Sequence, residues 1–76
     1  MNSEIIVYMI PVCPNCEEIK GKMRNAGIEF QTRDLEEWDN YSDLLLAQVT
    51  FTEAPIIRIG NEHFDKQGAE ERLKLN

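Results

Sequence analysis

Ile5-Ile6-Val7-Tyr8-Met9-Ile10-Pro11-Val12-Cys13-Pro14-Asn15-Cys16 is the stretch whose reading decides the fold. Residues 4–10 form a run of β-branched and bulky side chains, long enough for a buried strand. Pro11 ends it, because proline has no N–H to give to a ladder. Pro14 suits the first position of a helix, where a missing N–H costs nothing. The two cysteines, the only ones in the chain, therefore stand between a strand and a helix N-terminus. That end of a helix carries partial positive charge and free N–H groups, which favour thiolate over thiol. Two intervening residues let the second sulfur reach a disulfide made by the first. The motif points to thiol–disulfide chemistry.

Downstream, Ile19, Met23 and Ala26 recur at helical spacing, and Cys16 shares their face three residues before Ile19. Glu17 and Glu18 in the first turn, with Lys20, Lys22 and Arg24 later, complement the helix dipole. Gly27 is a C-terminal stop. Residues 28–33 alternate Ile28, Phe30 and Thr32 against Glu29, Gln31 and Arg33, the pattern of a half-buried strand. Residues 34–40 are acidic and predict a loop containing Trp38. Tyr41, Leu44, Leu45 and Gln48 or Val49 share a helical face, with Asp39, Asn40 or Ser42 as caps. Residues 50–55 connect to a short strand, residues 56–59. Gly60-Asn61 signals a turn, and Glu62-His63-Phe64 returns as its partner. Asp65 can cap a last helix bearing Ala69 and Leu73, although Gly68 weakens it. Strand–helix–strand implies parallel pairing, and the closing hairpin makes the sheet mixed, with helices able to cover both faces.

The whole chain has 76 residues, room for one small domain at 1–76. Hydrophobic content of 42% with 29% charged residues fits a soluble globular protein, and no apolar run approaches a membrane span. Met1-Asn2-Ser3-Glu4 lacks the basic start of a signal peptide, so a cytoplasmic location is expected. Eight basic against fourteen acidic residues, a net charge of −6, disfavour nonspecific nucleic-acid binding and suit a partner with a basic face. Two cysteines, one histidine and carboxylates make a poor structural zinc set, so no metal ligand is assigned.

Cys13-Pro14-Asn15-Cys16 after the first strand and Glu53-Ala54-Pro55 before the third, in this element order, resemble the glutaredoxins and small glutaredoxin-like proteins. The resemblance covers nearly the whole chain. It implies an α/β thioredoxin fold, a mixed four-stranded sheet flanked by three helices in the order βαβαββα. It implies catalytic residues Cys13, the exposed nucleophile, and Cys16, which resolves the mixed disulfide. It also implies a cis Ala54–Pro55 bond facing the dithiol, with the Ala54 backbone and Pro55 forming the substrate-binding site. Cys13 is expected to be the more exposed and the more acidic thiol.

The expected function is a thiol–disulfide oxidoreductase that reduces protein or mixed disulfides. It would act as a monomer with no tightly bound cofactor. A disulfide-containing protein is the client, and glutathione or a thioredoxin-reductase-like flavoprotein is the reductant. The alternatives are a redox-inactive thioredoxin-fold binding module and a metal or iron–sulfur carrier. Two departures bear on glutathione. The family's lysine three residues before the first cysteine is Ile10 here, and its Gly-Gly after the last hairpin is replaced by Glu62-His63-Phe64-Asp65. For an anionic tripeptide this leaves the Ala54 backbone, Arg33 and the helix start near Asp65 and Lys66. His63 is expected to be a polar residue of an edge strand. Trp38 is expected either to line a substrate groove or to plug a gap beneath a loop.

Overall fold

Alternation along the first strand sets the two layers of the molecule. The computed structural model describes residues 4–50 and 53–75. Within it β1 (Ile5–Met9) is central, buried on both faces. It pairs in parallel with β2 (Gln31–Asp34), Val7 opposite Thr32, and antiparallel with β3 (Ile56–Ile59), Val7 opposite Ile57. β4 (Glu62–Phe64) closes the edge beside β3, giving the order β2-β1-β3-β4. Ile5 and Val7 face one side with Ile57 and Ile59, and there they meet Ile19 and Met23 of α1 (Pro14–Asn25) and Ala69 of α3 (Lys66–Arg72). Ile6 and Tyr8 face the other side with Ile56, against Leu44 of α2 (Trp38–Leu46) and Leu35. One sheet thus separates two apolar layers, as period-two side-chain placement requires. No helix among the described residues is long and apolar enough to cross a membrane.

Helix ends follow capping chemistry in two cases. Gly27 adopts φ 72°, and Ile28 N–H returns to Met23 C=O at 2.9 Å, closing α1 as its glycine predicts. The Asp65 carboxylate accepts from Gly68 N–H at 2.7 Å, the predicted cap of α3. A Cβ on Gly68 would lie 2.9 Å from that same carboxylate oxygen, so this glycine makes room for the cap. Asp65→Ala is therefore expected to lower stability by about 1 kcal/mol, read as a lower urea midpoint at unchanged slope.

Five expectations are corrected. The second strand begins at Gln31, not residue 28, because β1 offers its first parallel partner at Ile6. Ile28 and Phe30 still pack on the α1 layer as half-buried side chains of the exit loop. α2 starts at Trp38, inside the expected loop, with Glu37 as N-cap and no side-chain cap hydrogen bond. Asp39, Asn40 and Ser42 do not cap it: Asn40 Nδ2 donates to Asp34 C=O and Ser42 Oγ donates to Asp39 C=O. The expected apolar face of α2 is also narrower. The helix stops at Leu46, Gln48 turns to φ 58°, and only Leu44 is fully buried, while Tyr41 and Leu45 are exposed. Ala26 is likewise the exposed C-cap of α1, not part of its buried face. Of the expected 50–55 connection, residues 51 and 52 lie outside the described residues, as do residues 1–3 of the N-terminus.

Candidate functional site

Cys13 and Cys16 form a disulfide with Cα atoms 5.2 Å apart. Cys13 is the N-cap of α1, and its Sγ accepts the Cys16 N–H at 3.1 Å. The Cys13 C=O takes the first helical hydrogen bond, from Glu17 N–H at 3.1 Å. The helix N-terminus thus aims its unpaired donor end at the sulfur of Cys13, where it would stabilise an anion. Cys13 is 9% exposed and Cys16 0%, so the first cysteine is the more accessible, although both are largely covered in the disulfide form.

Val12 is the feature that sequence reasoning missed. Its backbone is left-handed, φ 53°, and its side chain is 97% exposed immediately before Cys13. A β-branched residue in that region costs of order 1–3 kcal/mol, and nothing in Pro11-Val12-Cys13 announces it. Such outliers cluster at functional sites.

The Ala54–Pro55 bond is cis. Pro55 immediately precedes Ile56, which pairs with Tyr8 near the C-terminal end of β1. The dithiol loop leaves β1 at that same end, so register alone brings Pro55 and the Cys13 loop to one edge of the sheet. Ala54 is half-buried against the α2-side layer. Beside it lies a groove of about 340 Å³ lined by Thr50, Glu53, Ile56, His63, Phe64 and Asp65. His63 sits in edge strand β4, half-buried, and burial followed by the charge of Arg58 pushes its pKa down. Trp38 plugs no gap: it is 67% exposed at the start of α2 and stacks on Tyr41 with ring centroids 5.9 Å apart.

The acidic residues around the motif are held by lysines. Glu17 pairs with Lys20 at 2.6 Å, and that hydrogen bond keeps its carboxyl below the ordinary range. Glu18 pairs with Lys66 at 2.9 Å and Lys22 at 3.4 Å, Lys66 giving the larger downward push. Glu70 joins the same two lysines from α3. Arg33 is bound to Asp43 at 3.1 Å. Among the described residues no group of three or more His, Cys, Asp or Glu side chains is arranged to hold a metal.

A cysteine pair with two residues between them at a helix N-terminus, at the end of the sheet where a cis proline precedes β3, can cycle between dithiol and disulfide. The class so defined is the thiol–disulfide oxidoreductases built on the thioredoxin fold. Within that class, the glutaredoxin family model matches residues 5–64, and the chain belongs to the glutaredoxin family. A Bacillus subtilis relative, N-acetyl-S-hydroxy-L-cysteine reductase, is 30% identical over 56 residues, which cover 74% of this chain and 60% of the relative. The match therefore spans less than two thirds of that relative's length. Among solved structures, NrdH-redoxin from Escherichia coli, a glutaredoxin-like protein, superposes with a TM-score of 0.75 at 22% identity, covering 96% of this chain and 95% of its own. Glutaredoxin 1 from Francisella tularensis gives a TM-score of 0.68 at 19% identity, covering 95% of this chain and 98% of its own. These likenesses carry the fold.

Proposed function

We propose that the protein reduces disulfides in protein clients through Cys13 and Cys16, and that glutathione serves it poorly. The observation that carries this reading is the Cys13–Cys16 disulfide at the N-terminus of α1, beside exposed apolar side chains. The Cys13 thiolate attacks a client disulfide. One client sulfur leaves as thiolate, and a mixed disulfide forms. The Cys16 thiolate then attacks Cys13 Sγ, the second client thiolate leaves, and the Cys13–Cys16 bond closes. Two electrons pass to the client, and a reductant must return them. Ala54 would pair its backbone with the client's extended chain, next to Pro55.

The surroundings favour a protein over an anionic tripeptide. Ile10 and Val12 flank the motif, and Trp38 begins α2 at the same end of the sheet, all three exposed. An apolar rim of this kind suits a client loop. The net charge of −6 favours a client with a basic face and opposes glutathione. The cations expected to stand in for the family's lysine are already engaged, Arg33 with Asp43 and Lys66 with Glu18 and Glu70. A thioredoxin-reductase-like flavoprotein is then the reductant, in a reducing cytoplasm, with the protein acting as a monomer. NrdH-redoxin, described by its thioredoxin-like activity profile, is consistent with that choice.

Ile10→Lys is the direct test of the glutathione half. One charge-assisted contact adds roughly 1.5–3 kcal/mol, so glutathione-dependent reduction of a mixed disulfide is expected to rise about tenfold or more. Wild-type activity equal to that of an ordinary glutaredoxin, with no gain from the lysine, would contradict the reading. A second reading, a small oxidised cysteine derivative as substrate, is favoured by the Bacillus relative and by the groove beside Ala54. Assaying N-acetylcysteine sulfenic acid next to a protein disulfide separates the two.

A further inference from the structure

We propose that Lys20 is a positioning residue for the redox pair: it neutralises Glu17, the exposed carboxylate in the first turn of α1, and so keeps the reduced dithiol in a field that favours the thiolate. This rests on the reading of Cys13 and Cys16 as the redox centre. Lys20 is the one charged side chain buried among the described residues, at 7% exposure. A lysine is rarely buried without a partner, because desolvating its charge is costly. Its Nζ lies 2.6 Å from Glu17 Oε2 and 3.7 Å from Met9 Sδ.

Both contacts fix the direction of the side chain. Lys20 stands four residues after Cys16 on the same helical face. Helical side chains lean toward the N-terminus, here toward the dithiol. Glu17 is one turn nearer that end, and Met9 is the last residue of β1 before the loop that carries Cys13. The ammonium is therefore drawn back toward the N-terminal end of α1, between Glu17 and Met9.

Glu17 is the reason this matters. A carboxylate in the first turn suits the helix dipole but opposes a thiolate at Cys13, four residues before it. Glu18, its neighbour, is already held by Lys66 and Lys22. Glu17 has Lys20, with Arg24 of the same helix adding a smaller attraction. From β2, Asp34 stands opposite Met9, but it accepts the Glu36 N–H and forms no ion pair with Lys20. Ile10 supplies no charge on the other side of the motif. Removing Lys20 would leave Glu17 with only the weaker attraction of Arg24 beside the reduced pair.

The test is a pH titration of ultraviolet thiolate absorbance on the reduced wild type, Lys20→Met, Lys20→Arg and the double variant Lys20→Met with Glu17→Gln. Methionine keeps the buried stem filled while removing the charge. Lys20→Met is expected to titrate at higher pH, with about tenfold less thiolate at neutral pH. Lys20→Arg should titrate as wild type, and Glu17→Gln should restore most of the thiolate lost in Lys20→Met. A merely structural lysine would alter melting without moving the titration. Lys20→Met titrating as wild type, or no rescue by Glu17→Gln, would overturn the proposal. A wild type that titrates as described yet reduces no disulfide would instead count against the proposed function.

Discussion

Cys13→Ser is expected to abolish disulfide reduction, with turnover falling at least a thousandfold, whereas Cys16→Ser should stall as a covalent adduct with its client. The asymmetry follows from geometry. Cys13 caps the helix, receives the Cys16 N–H at 3.1 Å and is the less buried of the two. It is therefore the sulfur that a client disulfide is expected to approach and the one whose thiolate a helix terminus would stabilise. Serine there cannot become a nucleophile at neutral pH, since a hydroxyl lacks the acidity of a thiol. Cys16, fully buried on the inner face of α1, is expected to act only on a disulfide already formed at Cys13. Its loss leaves the first step intact and removes the escape. Mass spectrometry of each variant after mixing with a disulfide-bonded protein distinguishes them. An adduct on Cys13→Ser and none on Cys16→Ser would reverse the roles.

The second large effect concerns stability. Ile57→Ala is expected to cost roughly 2–5 kcal/mol, the range for truncating a buried isoleucine. Ile57 is fully buried in β3, opposite Val7 of β1 and Phe64 of β4, and it belongs to the layer shared with Ile19, Met23 and Ala69. No single element can close over the space it would leave, because two helices and three strands border it. A chain of 76 residues commands about 4–11 kcal/mol in all, so the variant should unfold at a much lower denaturant midpoint and lose much of its folded population on warming. A loss below about 1 kcal/mol would mean that this layer repacks more freely than the strand register suggests.

Much of this architecture can be read from local patterns because the decisive elements carry local signals. The run Ile5-Ile6-Val7-Tyr8-Met9 followed by prolines and cysteines marks a central strand entering a helix. Gly27 and Asp65 each mark a helix end where the structure has one. The element order and the mixed sheet follow from these. What escapes the reading is set by partners far away in sequence. β2 begins at Gln31 because Ile6 begins there, although the alternation of Ile28 and Phe30 looks equally strand-like. α2 has no side-chain cap, so Trp38 announces no helix start and its exposure could not be foreseen.

At the site, the spacing of Cys13 and Cys16 announces the chemistry, and the resemblance supplies Pro55. The left-handed backbone of Val12 has no signature in side-chain chemistry. Lys20 looks like any dipole-complementing lysine until its position four residues after Cys16 is combined with the burial of that face. That combination is available in the helical period, but only once the buried face is known.

The central claim is that electrons reach a protein client through the Cys13–Cys16 pair. It is tested most directly by mixing fully reduced protein with a disulfide-bonded protein in excess, quenching in acid, and mapping free thiols by alkylation. Each client disulfide opened is expected to consume both thiols of one molecule and to yield a Cys13–Cys16 disulfide. Client thiols appearing while Cys13 and Cys16 stay alkylatable, or no client reduction by the reduced protein, would contradict it.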